Sequence, residues 1–148
     1  TPLYSSAASD VYKRQAISST IARYEGSSLE ALYYFGKLYS DYYENYPEIA
    51  SIMFSIEYLK TDELLYSKFK GIMTGRKKTI IMLLERICNS EATRLNNLAE
   101  LVNGIFLSQT MFWKMEGCSY SLSERIHDNL VYLMSSRGGE RNETCADR

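Results

Sequence analysis

A single histidine serves the whole chain, and its neighbours pose the first chemical question. Glu124-Arg125-Ile126-His127 has the Glu-x-x-His spacing that projects a carboxylate and an imidazole from one helical face, as in di-iron bundles. Such a centre needs the pair twice and two further glutamates. With His127 alone, the metal reading is set aside in favour of a surface or interface histidine. Ser/His/Asp and Cys/His catalysis would both depend on the same His127, and no nucleophile sits in a recognisable context. No enzyme activity is expected. Gly71-Ile72-Met73-Thr74-Gly75-Arg76-Lys77 has a superficial likeness to a phosphate loop. Its glycines are one residue too close, no Lys-Ser/Thr pair follows, and no strand precedes it. Gly71 and Gly75 are read instead as a kink or a close helix approach, and Arg76-Lys77-Lys78 as a solvated face. Cys88, Cys118 and Cys145 are odd in number and far apart, which indicates neither a disulfide framework nor a structural zinc site. No cofactor and no metal are expected.

Tyrosine is the abundant residue with a chemical handle: 13 tyrosines against five phenylalanines and one tryptophan. Six of them cluster at Tyr33, Tyr34, Tyr39, Tyr42, Tyr43 and Tyr46, and Phe106, Phe112 and Trp113 join them from a later segment. An apolar ring carrying a hydroxyl suits either ordinary core packing or a pocket for an amphipathic or aromatic small molecule. Met53, Met73 and Met111 add adaptable surface, and Asn103 and Gln109 add uncharged polar groups. A buried amide without a partner costs roughly 1–3 kcal/mol, so each needs a helix neighbour, water or ligand. On the pocket reading, the ligand-binding residues are Tyr39, Tyr43, Met73, Phe106, Gln109 and Trp113.

These residues need helices to position them. Between the chain ends proline occurs only at Pro47, and apolar residues recur at three and four, so the fold class is all-α. Ala16 to Tyr24 reads as a short helical remnant that Gly26 ends in the left-handed conformation. Ser27-Ser28-Leu29-Glu30 has capping-box spacing, and the helix it opens carries Leu29, Leu32, Tyr33, Gly36, Tyr39 and Tyr43 as one stripe, widened by Phe35, Leu38 and Tyr42. Tyr46-Pro47-Glu48 marks a break and a restart. Thr61-Asp62-Glu63 starts a long helix reaching Ile87. The stretch from about Thr93 to Glu116 is apolar nearly all round and therefore has two partners. Gly117 closes it, and Ser121-Leu122-Ser123-Glu124 is a second capping box. Ile126, Leu130, Leu133 and Met134 form the inner stripe of a final helix, with Val131 and Leu122 off it. The last two helices show more apolar surface than one small bundle covers, and a homodimer would bury it.

The 148 residues support one domain, and 17 Lys+Arg against 18 Asp+Glu give a net charge of -1. That balance argues against holding nucleic acid or an anionic membrane by charge alone. No stretch reaches the roughly 18 uninterrupted apolar residues of a membrane span, and no basic region followed by an apolar run opens the chain. A cytoplasmic location without membrane contact is expected. Thr1 to Gln15 has no apolar period, and Asp10 to Gln15 (DVYKRQ) resembles a translated sequencing adaptor, so residues 1–15 are treated as an artefact or a disordered arm. The helical domain is placed at residues 16–136 and a disordered tail at 137–148.

The helix order, the break at Asn45-Tyr46-Pro47-Glu48, the long helix opened by Thr61-Asp62-Glu63 and the two apolar closing helices together resemble the C-terminal domain of TetR-family transcriptional regulators. Leu29 to Phe54 and Leu98 to Gly117 look most like that family's middle and penultimate helices. The resemblance covers about Ala16 to Ser136 and rests on helix phase, with no invariant catalytic string. It implies a bundle of about five to six helices that binds a small apolar or aromatic effector and dimerises through its last two helices. The implied dimer residues are Gly104, Ser108, Met111, Met115, Ile126, Leu130 and Met134. The family reads DNA through an N-terminal helix-turn-helix, which nothing here matches, so DNA is expected as a partner only through that missing part. Two alternatives are a helical dimerisation module with no ligand and a helical-bundle enzyme, which a buried His127 facing carboxylates across a cleft would favour.

Overall fold

A computed structural model describes residues 19–21 and 23–139 of the chain. The expectations for residues 1–15, the first part of the Ala16 to Tyr24 remnant, the tail beyond Gly139 and Cys145 fall outside the described residues. Six helices follow the opening segment: α1 (Ser28–Asn45), α2 (Pro47–Met53), α3 (Ile56–Leu59), α4 (Glu63–Ile87), α5 (Ala92–Met115) and α6 (Leu122–Gly139). No strand occurs among the described residues, and the fold is all-α.

The start signals work as local chemistry requires. Glu30 N donates to Ser27 Oγ at 3.2 Å and Ser27 N donates to Glu30 Oε2 at 2.8 Å, the reciprocal box that satisfies two otherwise orphaned amides. Pro47 occupies the opening of α2, where its missing N–H costs nothing. Asp62 caps α4 by accepting from Leu65 N at 3.0 Å. Gly117, at φ 69°, turns the chain out of α5, and Cys118 follows in the same left-handed region at φ 58°. The Cys118 amide reaches back to Trp113 O at 2.8 Å, which closes the helix end. At α6 the expected bond from Glu124 N to Ser121 Oγ forms at 3.2 Å. The first two amides of α6 are held from a distance instead: Leu122 N and Ser123 N donate to Glu44 Oε1 on α1, at 2.5 and 3.2 Å. A carboxylate at a helix N-terminus also meets the positive end of the macrodipole.

The four long helices form a ring in which α1 packs on α4 and α6, and α5 packs on the same two. The short α2 bridges α1 to α5, and α3 leads into α4. Buried Leu32, Phe35, Tyr39 and Tyr43 of α1 meet Ile80, Leu83 and Leu84 of α4, Val102 and Phe106 of α5, and Leu122, Ile126 and Leu130 of α6 in one core. Gly36 is the notch of this arrangement. A Cβ built there would lie 3.0 Å from Leu130 Cδ1, 3.3 Å from Ile126 Cγ2 and 3.4 Å from Phe106 Cε1.

Four local expectations are corrected. Helix α4 runs unbroken through Gly71 and Gly75, and a Cβ at either would meet nothing within 4 Å, so neither glycine marks a close helix approach. Gly26 is not left-handed; its missing side chain makes room for the Tyr24 ring. Leu122, placed off the inner stripe, is fully buried because it lies one turn before Ile126. Arg76, assigned to a solvated face, is 2% exposed.

Candidate functional site

Arg76 lies one turn before Ile80 on the buried face of α4, so helical phase carries its side chain inward whatever its charge. Its guanidinium carbon stands 5.5 Å from the Tyr39 ring centre and 5.9 Å from that of Phe106. Its Nε donates to Asn103 Oδ1 on α5 at 2.7 Å, and its Nη2 points to Met73 Sδ at 3.6 Å. A planar guanidinium is weakly hydrated and stacks on aromatic faces, which lowers the cost of bringing this cation inside. Asn103 thereby gains the partner that a part-buried amide needs.

Of the six residues expected to bind ligand, the structure brings Tyr39, Met73 and Phe106 together around Arg76, with the Tyr39 and Phe106 ring centres 5.9 Å apart. Tyr43 stands beside them, its ring 6.4 Å from that of Tyr39 and its hydroxyl donating to Met53 Sδ at 3.2 Å. Trp113 is buried at the far end of α5, where its Nε1 donates to Tyr120 O at 2.9 Å. Gln109 is half-buried between them on α5. Tyr39 packs against both Tyr43 and Phe106, and Trp113 stands apart from them.

The residues expected at a dimer face divide. Gly104, Met111 and Met115 are exposed on α5, with Ser108 half-buried among them, and Met115 is 74% open to solvent; Leu101, outside the expected set, is exposed beside them, as is Phe112, which corrects its expected place with the tyrosine cluster. Positions 101, 104, 108, 111, 112 and 115 share one helical face, and a Cβ at Gly104 would meet nothing within 4 Å. Met134 is partly buried against the core. Ile126 and Leu130 are corrected: their side chains are enclosed within the protomer, against the Gly36 notch, so they offer no surface for a dimer face. Tyr132, which was not anticipated, is 80% exposed on the flank of α6 opposite His127.

Two clefts lie near the entry to α1, and none of the six expected ligand residues lines either. One, of about 410 Å³, lies between Glu30, Tyr33, Tyr34 and Lys37 of α1 and Ser123, Glu124, His127 and Asp128 of α6, with Tyr24 at its edge. The other, of about 620 Å³, shares Tyr24 and Tyr34 and is completed by residues 19, 20, 23 and 25. In the first cleft the His127 ring meets the Tyr33 ring edge-on at 5.1 Å, and its Nδ1 stands 3.7 Å from Asp128 Oδ1. The His127 side chain is 53% exposed, not the buried imidazole that an enzyme reading asks for. The Ser27 amide and hydroxyl hold the Glu30 carboxyl below its ordinary pKa, and burial pushes the Tyr33 phenol above its own. Among the described residues no three His, Cys, Asp or Glu side chains are grouped to hold a metal ion, and no helix is long and apolar enough to cross a membrane.

Glu44 and Arg76 are the two residues of consequence that sequence reasoning missed. Arg76 was findable from its phase with Ile80 and Leu84, whereas no local pattern connects Glu44 to an amide 78 residues away. No family model, no curated protein and no solved structure matches this chain.

Proposed function

We propose that the chain is the dimerisation and effector-sensing part of a TetR-like transcriptional regulator, which in its intact form reads DNA through a helix-turn-helix. The observation that carries this reading is the exposed apolar face of α5, running from Leu101 through Gly104, Met111 and Phe112 to Met115. Two copies laid face to face along it bury eight large side chains that are roughly half open in one protomer. At about 1.5–3 kcal/mol for a fully buried side chain, the gain is on the order of 10 kcal/mol. That is the same order as the cost of rigid-body association. Close fit therefore decides the outcome, and the open backbone at Gly104 is where two helices can approach nearest.

The effector of this reading is a small apolar or aromatic molecule that enters between Tyr39, Phe106 and Met73. Because those side chains fill the site, binding parts α4 from α5 and opens the Arg76–Asn103 hydrogen bond. The ligand acts only through its greater affinity for the opened state. Titrating Trp113 fluorescence with lipophilic compounds tests it: a saturable change supports the sensor, and no response from any compound removes it. The filled aromatic cluster favours one second reading, a dimerisation module with no ligand, in which the dimer persists and Trp113 responds to nothing.

A further inference from the structure

The cleft between the first turns of α1 and α6 lies apart from both the aromatic cluster and the α5 face. We propose that it binds a small organic cation, a substituted ammonium whose apolar groups lie on tyrosine rings while its charge faces the carboxylates of Glu30, Glu124 and Asp128. A volume of about 410 Å³ lies within the range of small-molecule pockets, roughly 300–1,000 Å³. Two ring pairs form its walls. Tyr24 stacks on Tyr34 with centres 5.2 Å apart and planes 24° apart, and Tyr33 meets His127 edge-on. The Tyr24 ring is seated by Gly26, whose missing side chain leaves it the space beside the entry to α1.

Charge chooses the ligand class. Glu30 is pinned in the capping box with Ser27 and stays ionised at neutral pH, since its hydrogen bonds favour the carboxylate. The Tyr33 phenol stays neutral, so the negative charge of the cleft belongs to the carboxylates. Lys37, the one lysine on the lining, donates to Asp41 Oδ2 at 2.5 Å, and that contact offsets its charge locally. A cation over a tyrosine face is drawn by the ring quadrupole and by the carboxylates beyond it, whereas an anion meets three like charges. A bare metal ion is disfavoured, since no cluster of ligating side chains occurs among the described residues.

The test follows amide chemical shifts of the isotope-labelled full chain as benzyltrimethylammonium is added, with benzyl alcohol and benzoate as the neutral and anionic comparisons. The proposal expects saturable shifts at Tyr33, Glu124 and His127, with half-saturation below about 1 mM, and none from the comparisons. Combining Glu124→Gln with Asp128→Asn weakens binding about fivefold or more. Tyr34→Leu does the same by removing a π-face, while Tyr34→Phe binds nearly as the parent does. Far-UV circular dichroism confirms that each variant is folded. No saturable shift up to about 10 mM, equal shifts from benzyl alcohol, or undiminished binding by the double carboxamide variant overturns the proposal. The cleft lies within one protomer, so failure of the dimer in sedimentation and failure of cation binding are separate results.

Discussion

Replacing Gly36 with alanine sets two effects of known sign against each other. In an open helix interior the change gains about 1 kcal/mol, because glycine loses more backbone freedom on folding than alanine does. At Gly36 the new methyl group arrives 3.0 Å from Leu130 Cδ1 and 3.3 Å from Ile126 Cγ2. Both side chains are fully enclosed, as is Phe106 on the third side, so none can move aside without disturbing the core. Overpacking of that kind costs about 1–3 kcal/mol. The net expectation for Gly36→Ala is a loss of about 0–2 kcal/mol. Gly71→Ala and Gly75→Ala on α4 supply the control, since a Cβ there meets nothing within 4 Å and only the propensity gain of about 0.5–1 kcal/mol remains. Urea and thermal unfolding followed by far-UV circular dichroism, at one fixed protein concentration, measure all three. The α4 variants should move the melting temperature up by roughly 2–5 °C, and Gly36→Ala should leave it unchanged or lower it. A Gly36→Ala protein stabilised as much as the α4 variants would refute the packing of α6 into the α1 notch.

Glu44→Ala removes the acceptor for the Leu122 and Ser123 amides and should destabilise by about 1–3 kcal/mol, read as a lower urea midpoint, with hydrogen exchange fastest in the first turn of α6. Ser27→Ala should lower stability at neutral pH and flatten its acid dependence. The Glu30 carboxyl titrates below its ordinary value, so its contribution is complete above the ordinary carboxylate range and fades as pH falls through the lowered value; unfolding measured from pH 7 to pH 3 checks the sign. Arg76→Lys should cost about 1–2 kcal/mol by denaturation, because a compact ammonium cannot cover the Tyr39 and Phe106 rings while bonding Asn103 as the guanidinium does.

Local chemistry made most of the helix boundaries legible. Ser27, Pro47, Asp62 and Gly117 each act through bonds or dihedrals within a few residues, and each does what its type and position require. The two-sided character of α5 was also legible, since Val102 and Phe106 point inward while Leu101, Met111 and Met115 point out. What failed depended on neighbours. The run Arg76-Lys77-Lys78 has the composition of a surface, but only Lys78 is fully exposed: Lys77 reaches Glu100 at 2.8 Å and Arg76 turns into the core. Ile126 and Leu130 share a phase that fits either an intermolecular or an internal contact, and the choice was made by Gly36 on a helix far away in sequence. Glu44 carries no local sign of its role. The tyrosine cluster divided in the same way: Tyr39 and Tyr43 entered the core, while Tyr33 and Tyr34 came to wall a cleft with α6.

Sedimentation equilibrium on the parent chain beside a Leu101→Lys, Met115→Lys double variant tests the central claim most directly. Both residues are exposed in the protomer, at 59% and 74%, so lysine there leaves the fold intact while placing two charges on the α5 face. The account predicts a dimer for the parent and a folded monomer for the variant at the same micromolar concentration. A monomeric parent, or a variant that still dimerises, would contradict it.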